Sequence, residues 1–274
     1  MKRTAIPVIL ILLLAAPALG FDGLTLSDPT GDDKGPGSYV YPVNSVYEKG
    51  TFDLKEVKIT DKGDKVEFKV TLKARIRDPW DSKGWSPPGQ GFSLQFVQIY
   101  IDTDHIAGSG FDQGLPGLNV RFADQSRWDK VVVVSPQPVS RLKMESKVKA
   151  KAMRKSMVFP KKVRVKGKSL TVTVPKKKLG EPVSGWGWQV VVQSNEGYPD
   201  AGDLLTRDVN EVAGDHRFGG GTDFDCDPHV LDILAGEAKG DSSEVQAQYD
   251  ALKYECAGSD VSKAKQAVLP MIYK

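Results

Sequence analysis

The sequence predicts a mainly β protein, an antiparallel β-sandwich with a short helical appendage at its C-terminal end. Three observations carry that reading. Short segments alternate apolar and polar side chains with a period of two, as in Val66, Phe68, Val70 and Leu72 against Lys65, Glu67, Lys69 and Thr71. Clusters of Gly, Asp and Pro punctuate the intervals between them. Helical spacing is confined to the C-terminal section, with no amphipathic helix between the strand-like segments. Strands that recur without crossover helices point to antiparallel pairing rather than to a parallel α/β sheet.

Residues 1–20 read as a secretory signal peptide. Lys2 and Arg3 form the charged end, residues 5–16 are almost wholly apolar, and Ala18 and Gly20 make a small-x-small cleavage site, so that the mature chain begins at Phe21. An uncleaved signal anchor is the other reading, but the apolar run is short for a membrane span. No Cys follows the leader and no later stretch is apolar enough to cross a membrane. The expected location is therefore secreted, cell-surface or periplasmic. Residues 21–274 read as one β-sandwich domain, including the appendage from about residue 223.

The run 28–42 holds three Asp, three Gly and three Pro in fifteen residues. Neither a helix nor a central strand tolerates that composition, so it is an ordered loop. Asp28, Asp32 and Asp33 repel one another if they converge, and Ca²⁺ is the usual remedy for loop carboxylates with nearby carbonyls. The alternative is a solvated turn cluster. Residues 52–72 form a hairpin that turns at 61–64. Residues 75–91 form a loop in which Trp80 and Trp85 sit among Pro and Gly, either as plugs over the core or as stacking platforms for sugar rings.

Residues 92–101 form a strand, with Phe92, Leu94 and Phe96 on one face. Asp102, just beyond it, either joins an ion site or serves a turn. The run 131–134 is four consecutive valines, a strand buried on both sides. Residues 162–174 give a second hairpin, and Trp186, Trp188, Val190 and Val192 share the buried face of a further strand. Residues 229–234 are expected as a short helix after Pro228. Residues 242–254 are expected as a longer one, capped by Asp241, with Val245, Tyr249 and Leu252 on one face. Cys226 and Cys256 are the only cysteines. In an exported chain an even count points to one disulfide, which would tie the ends of the appendage; two free thiols or a metal site are the alternatives, zinc being disfavoured because neither Cys belongs to a C-x-x-C pair.

The pattern D-P-x-G-D-D-x-G-P-G-x-Y-x-Y-P over residues 28–42, followed by Phe52, Asp53 and Leu54, resembles the start of the glucodextranase C-terminal domain family. Those are DOMON-like modules, related to carbohydrate-binding modules of some xylanases. Residues 173–175, Leu179 with Gly180, the strand 189–193, Gly197 with Tyr198, residues 218–221 and 228–234 are similar to the family's later blocks, in the same order. The Lys-rich stretch 143–162 and the neighbourhood of Trp85 depart from the pattern. The resemblance implies an immunoglobulin-like or DOMON-like sandwich and a non-catalytic role in binding polysaccharide or a cell-surface glycan. The residues themselves add the expectation of structural calcium, with Asp28, Asp32, Asp33 and Asp53 as leading ligands, and of Trp80 and Trp85 as a stacking pair.

Other functions are weighed against that. The histidines are His105, His216 and His229, with no H-E-x-x-H and no G-x-S-x-G, so nothing recommends an enzyme. A haem-binding DOMON-type protein would need an axial ligand from His105, His216 or Met144, each in a polar or basic context. Between residues 141 and 178 stand fifteen Lys or Arg and one acid, Glu145. That stretch suits an anionic wall polymer, as in a structural envelope protein, or the solvated face of edge strands, which is the commoner origin. Aromatic residues do not interleave with the charges, which argues against specific nucleic-acid binding. Residues 223–227 alternate Asp with other residues and could form a second ion site, or an exposed loop beside the disulfide.

Overall fold

The computed structural model describes residues 21, 23–240 and 243–274. The expected signal peptide and the expected cap Asp241 lie outside the described residues. In chain order the strands are β1 (Gly23–Ser27), β2 (Leu54–Asp61), β3 (Lys65–Leu72), β4 (Gln95–Asp102), β5 (Val120–Phe122), β6 (Lys130–Val134), β7 (Met157–Val158), β8 (Val163–Lys166), β9 (Ser169–Pro175), β10 (Gly187–Ser194), β11 (Asp232–Ile233), β12 (Ala267–Leu269) and β13 (Ile272–Tyr273). The helices are α1 (Val139–Lys149), α2 (Lys176–Leu179) and α3 (Glu244–Ala251).

Two sheets form the expected antiparallel sandwich. The first runs β1-β2-β3-β9-β8. The second runs β11-β10-β4-β6-β7, with β13 also pairing β10, and β7 joins it parallel to β6. Between them lies a core of Val57, Ile59, Phe68 and Val172 from the first sheet and Val97, Ile99, Val132, Trp188 and Val190 from the second. The period-two alternation of β3 follows from this arrangement: Val66, Phe68, Val70 and Leu72 face the core while Lys65 and Lys69 face water.

The second sheet is buried on its outer face as well. Phe96, Tyr100, Val131, Val133, Val191 and Ile233 pack there against Trp128, Leu142, Leu204, Leu205 and Leu252. Every residue of β4 and β10 is buried. The valine run of β6 is the strand buried on both sides that its sequence promised. Phe96 belongs to this outer layer and Phe92 and Leu94 to the inner core, so the three do not share a face. The regular strand starts only at Gln95, and the chain changes phase there.

Two other expectations change. The first part of the Lys-rich stretch is a helix, α1, rather than an edge strand. Its Leu142 and Ser146 are buried one turn apart, and Glu145 pairs with Arg141 (3.5 Å) and Lys149 (3.1 Å) at helical spacing. Two strands of the stretch, β7 and β8, end their sheets, and β8 is the one with exposed residues. Residues 229–234 are extended, because Asp232 and Ile233 add a strand to β10 through Val192 and Val191. α3 lies inside the expected helix, with Gln248 as its buried residue and Leu252 just beyond.

The C-terminal section is woven into the sandwich through β11 and β13. The disulfide Cys226–Cys256 closes it across 30 residues, with Cα atoms 5.6 Å apart. Opening a loop of that length costs about 3–4 kcal/mol through the unfolded state. Substituting Cys226→Ser and Cys256→Ser together should therefore lower the unfolding midpoint by roughly 10 °C in calorimetry. An unchanged midpoint would show that the segment is held by its strands alone.

Candidate functional site

Four carboxylates converge beneath the N-terminal loop. Asp28 leaves the end of β1, Asp32 lies in the Gly/Pro-rich loop, Asp53 precedes β2, and Asp232 opens β11. Asp28, Asp32, Asp53 and Asp232 are at most 1% exposed. Oxygens of Asp28, Asp32 and Asp232 lie within 4.8 Å of one another.

The backbone holds these side chains in place. The N–H of Ala235 donates to Asp28 Oδ1 (2.8 Å), that of Leu54 to Asp232 Oδ2 (2.5 Å) and that of Gly31 to Asp53 Oδ2 (2.8 Å). Asp28 Oδ2, both carboxylate oxygens of Asp32, Asp53 Oδ1 and Asp232 Oδ1 are buried with no hydrogen-bond partner among the described residues. Among the described residues a single cation, Lys73, forms an ion pair with the group, at 3.2 Å from Asp53. Burial first, and then the neighbouring carboxylates, push the acids upward: Asp32 to about 7, Asp53 to about 6, and Asp28 and Asp232 well above the usual carboxylate range. Buried acceptors that face only one another are costly unless something positive sits between them.

Gln248 of α3 locks the loop from the other side. Its Nε2 donates to the carbonyls of Asp32, Gly35 (3.3 Å) and Leu231 (3.4 Å), while its Oε1 accepts from the N–H of Ile233 (2.9 Å). Gln248→Leu keeps the volume and strands these groups, which should cost about 2–3 kcal/mol in denaturant unfolding. A loss under about 0.5 kcal/mol would remove α3 from the support of the pocket.

The other expected acids have different surroundings. Asp33 is buried beside the pocket, but its Oδ2 accepts from the Tyr41 hydroxyl. Asp102 belongs to a separate cluster with Asp104 and Asp129. Its Oδ1 accepts from the N–H of His105 (2.7 Å), as in a turn, and its Oδ2 from the Tyr273 hydroxyl of β13 (2.6 Å). Asp232 was not among the expected ligands. Its signal was an acid inside the apolar run Val230, Leu231, Ile233 and Leu234.

The second feature is an open cleft of about 480 Å³, where β4 starts and β6 and β10 end. The loop 75–91 brings both expected tryptophans there. Trp80 is 37% exposed and Trp85 is half-buried, its Nε1 donating to the Trp80 carbonyl (2.9 Å). Behind Trp80 stand Tyr47, with ring centroids 6.0 Å apart, and His216, at 5.6 Å. Tyr198, 93% exposed, forms the opposite lip.

Polar groups line the rest of the cleft. Arg207 Nε meets Glu196 (3.0 Å) and its guanidinium donates to the Tyr47 hydroxyl and to the His216 carbonyl (2.7 Å). Arg141 donates to Gln137 (3.1 Å) and to the Gly197 carbonyl. Both arginines are thus fixed in position. Trp80 is thus packed against Tyr47 and His216 on one side and partly exposed on the other. Tyr47, Arg141 and Arg207 come from distant parts of the chain, and no local motif marked them.

The remaining histidines have local roles. His105 stacks on Tyr273 at 3.9 Å. His229 is buried and its Nδ1 accepts from the N–H of Val209 (3.2 Å).

Aromatic rings and fixed polar groups thus gather in one open cleft of the sandwich. The chain belongs to the family of the C-terminal, SLH-like binding module of glucodextranase, whose model matches residues 24–272. That family is a binding module and not a catalytic one. No curated protein matches the chain. No helix among the described residues is long and apolar enough to cross a membrane.

Proposed function

We propose that the chain is a secreted, non-catalytic module that binds polysaccharide or cell-surface glycan in the aromatic cleft, on a frame closed by structural calcium. The observation that carries the reading is the set of Trp80, Trp85 and Tyr198, presented to solvent around fixed hydrogen-bonding groups. The C–H faces of sugar rings stack on such side chains, and the polar side chains of Gln137, Asn195 and Glu196 line the same cleft. Affinity electrophoresis through gels containing soluble α-glucans, β-glucans or wall polysaccharide tests it. Retardation by at least one of them, relieved by Trp80→Ala, is expected. Free migration in every gel would refute the reading.

Calcium fits the acidic pocket on donor chemistry. The free ligands are all oxygens, and no nitrogen or sulfur that would favour zinc joins them in the cluster. Asp28, Asp32 and Asp232, bordered by Asp53, would hold the ion, which supplies positive charge among them. Since Asp28 and Asp232 come from opposite ends of the chain, their shared ion would clamp the N-terminal loop to β11.

A further inference from the structure

We propose that the outer face of α1 and the turn after it form a docking surface for an anionic lipid bilayer, a contact independent of the aromatic cleft. Leu142 and Ser146 turn inward, so the opposite ridge of the helix is Met144 and Val148, one turn apart and 62% and 77% exposed. Lys143 and Lys147 flank that ridge, and Lys151, Arg154 and Lys155 follow in the turn; all five are exposed. The one acid of the region, Glu145, is engaged by Arg141 and Lys149, and no ion pair among the described residues involves the five cations.

Each half of this arrangement is ordinary alone. Lysines keep a surface soluble, and single apolar residues are common in water. Together they match a phospholipid surface, which offers phosphates to the cations and an acyl boundary to the ridge. A soluble polyanion would satisfy the lysines and leave Met144 and Val148 in water. The apolar ridge therefore decides for lipid.

The test is co-sedimentation of the mature protein with vesicles of phosphatidylcholine alone and of phosphatidylcholine with phosphatidylglycerol, with soluble polyphosphate as competitor. Binding to the phosphatidylglycerol vesicles only is expected, weakening as salt rises. The variant K143Q/K147Q/K151Q should bind on the order of 100-fold more weakly. The variant M144S/V148S should lose several-fold and become more readily displaced by polyphosphate. All these positions are exposed, so unchanged unfolding midpoints verify that the variants fold. Failure to sediment with either vesicle, or equal sedimentation with both, overturns the proposal. So does binding that polyphosphate abolishes and M144S/V148S leaves untouched, which would mark a surface for soluble polyanions.

Discussion

If calcium closes the acidic pocket, chelation should lower the unfolding midpoint of residues 21–274 on the order of 10 °C at neutral pH, and added calcium should restore it. A ligand bound only by the folded state at a thousand times its dissociation constant stabilises by about 4 kcal/mol, and a domain of this size shifts by a few degrees per kcal/mol. The pH dependence sharpens the test. Without the ion, the folded carboxylates take up protons more readily than the unfolded ones, with Asp32 raised to about 7 and Asp53 to about 6. A group whose folded value is raised helps the fold below its unfolded value, near 4, and loses that help as pH rises through the folded value. The chelated protein is therefore more stable at pH 5 than at pH 8. With calcium the ionised forms are the ones held, and the trend flattens or reverses. Asp232→Asn should lose most of the calcium response, because it removes a charge from the centre of the pocket and leaves one oxygen to accept from Leu54. Equal midpoints with and without chelator, at both pH values, would reduce the pocket to protonated acids.

On the proposed reading, Trp80→Ala should weaken glycan binding roughly 30-fold, and Tyr198→Ala should weaken it less. Removal of a central aromatic anchor from a recognition site costs about 2 kcal/mol or more. Trp80 is backed by Tyr47 and His216, so its ring is held in place before a ligand arrives. Tyr198 is 93% exposed and must be ordered when it stacks, which offsets part of its contribution. Trp85→Ala combines both effects, since it also removes the hydrogen bond to the Trp80 carbonyl that braces the loop. Titration followed by calorimetry separates the three. Equal, negligible losses for all of them would move the binding surface elsewhere on the sandwich.

The sandwich was legible because its first sheet faces water on one side. Alternation in β3 and in the β8–β9 hairpin follows directly from that half-burial. The second sheet was legible only in fragments, since α1, β5, β12 and the 200–205 loop cover its outer face and erase the alternation. α1 itself was hidden for a related reason. Leu142 points inward and Met144 and Val148 point outward, so the apolar residues circle the helix and leave no stripe to recognise. The acidic pocket was half visible. Asp28 and Asp32 crowd one loop and betray themselves locally, whereas Asp232 arrives through a strand pairing that no nearby residue announces. Asp33 has the same sequence context as Asp32, yet it accepts from the Tyr41 hydroxyl while Asp32 joins Asp28 and Asp232.

The most direct test of the binding role is a fluorescence titration of the mature, calcium-loaded protein with a panel of neutral and acidic oligosaccharides. Trp128, Trp186 and Trp188 are buried, so a change on ligand addition reports mainly on Trp80 and Trp85. The account predicts a saturable change with at least one oligosaccharide, abolished in the Trp80→Ala, Trp85→Ala double variant. A flat response across the panel from a folded protein would contradict it.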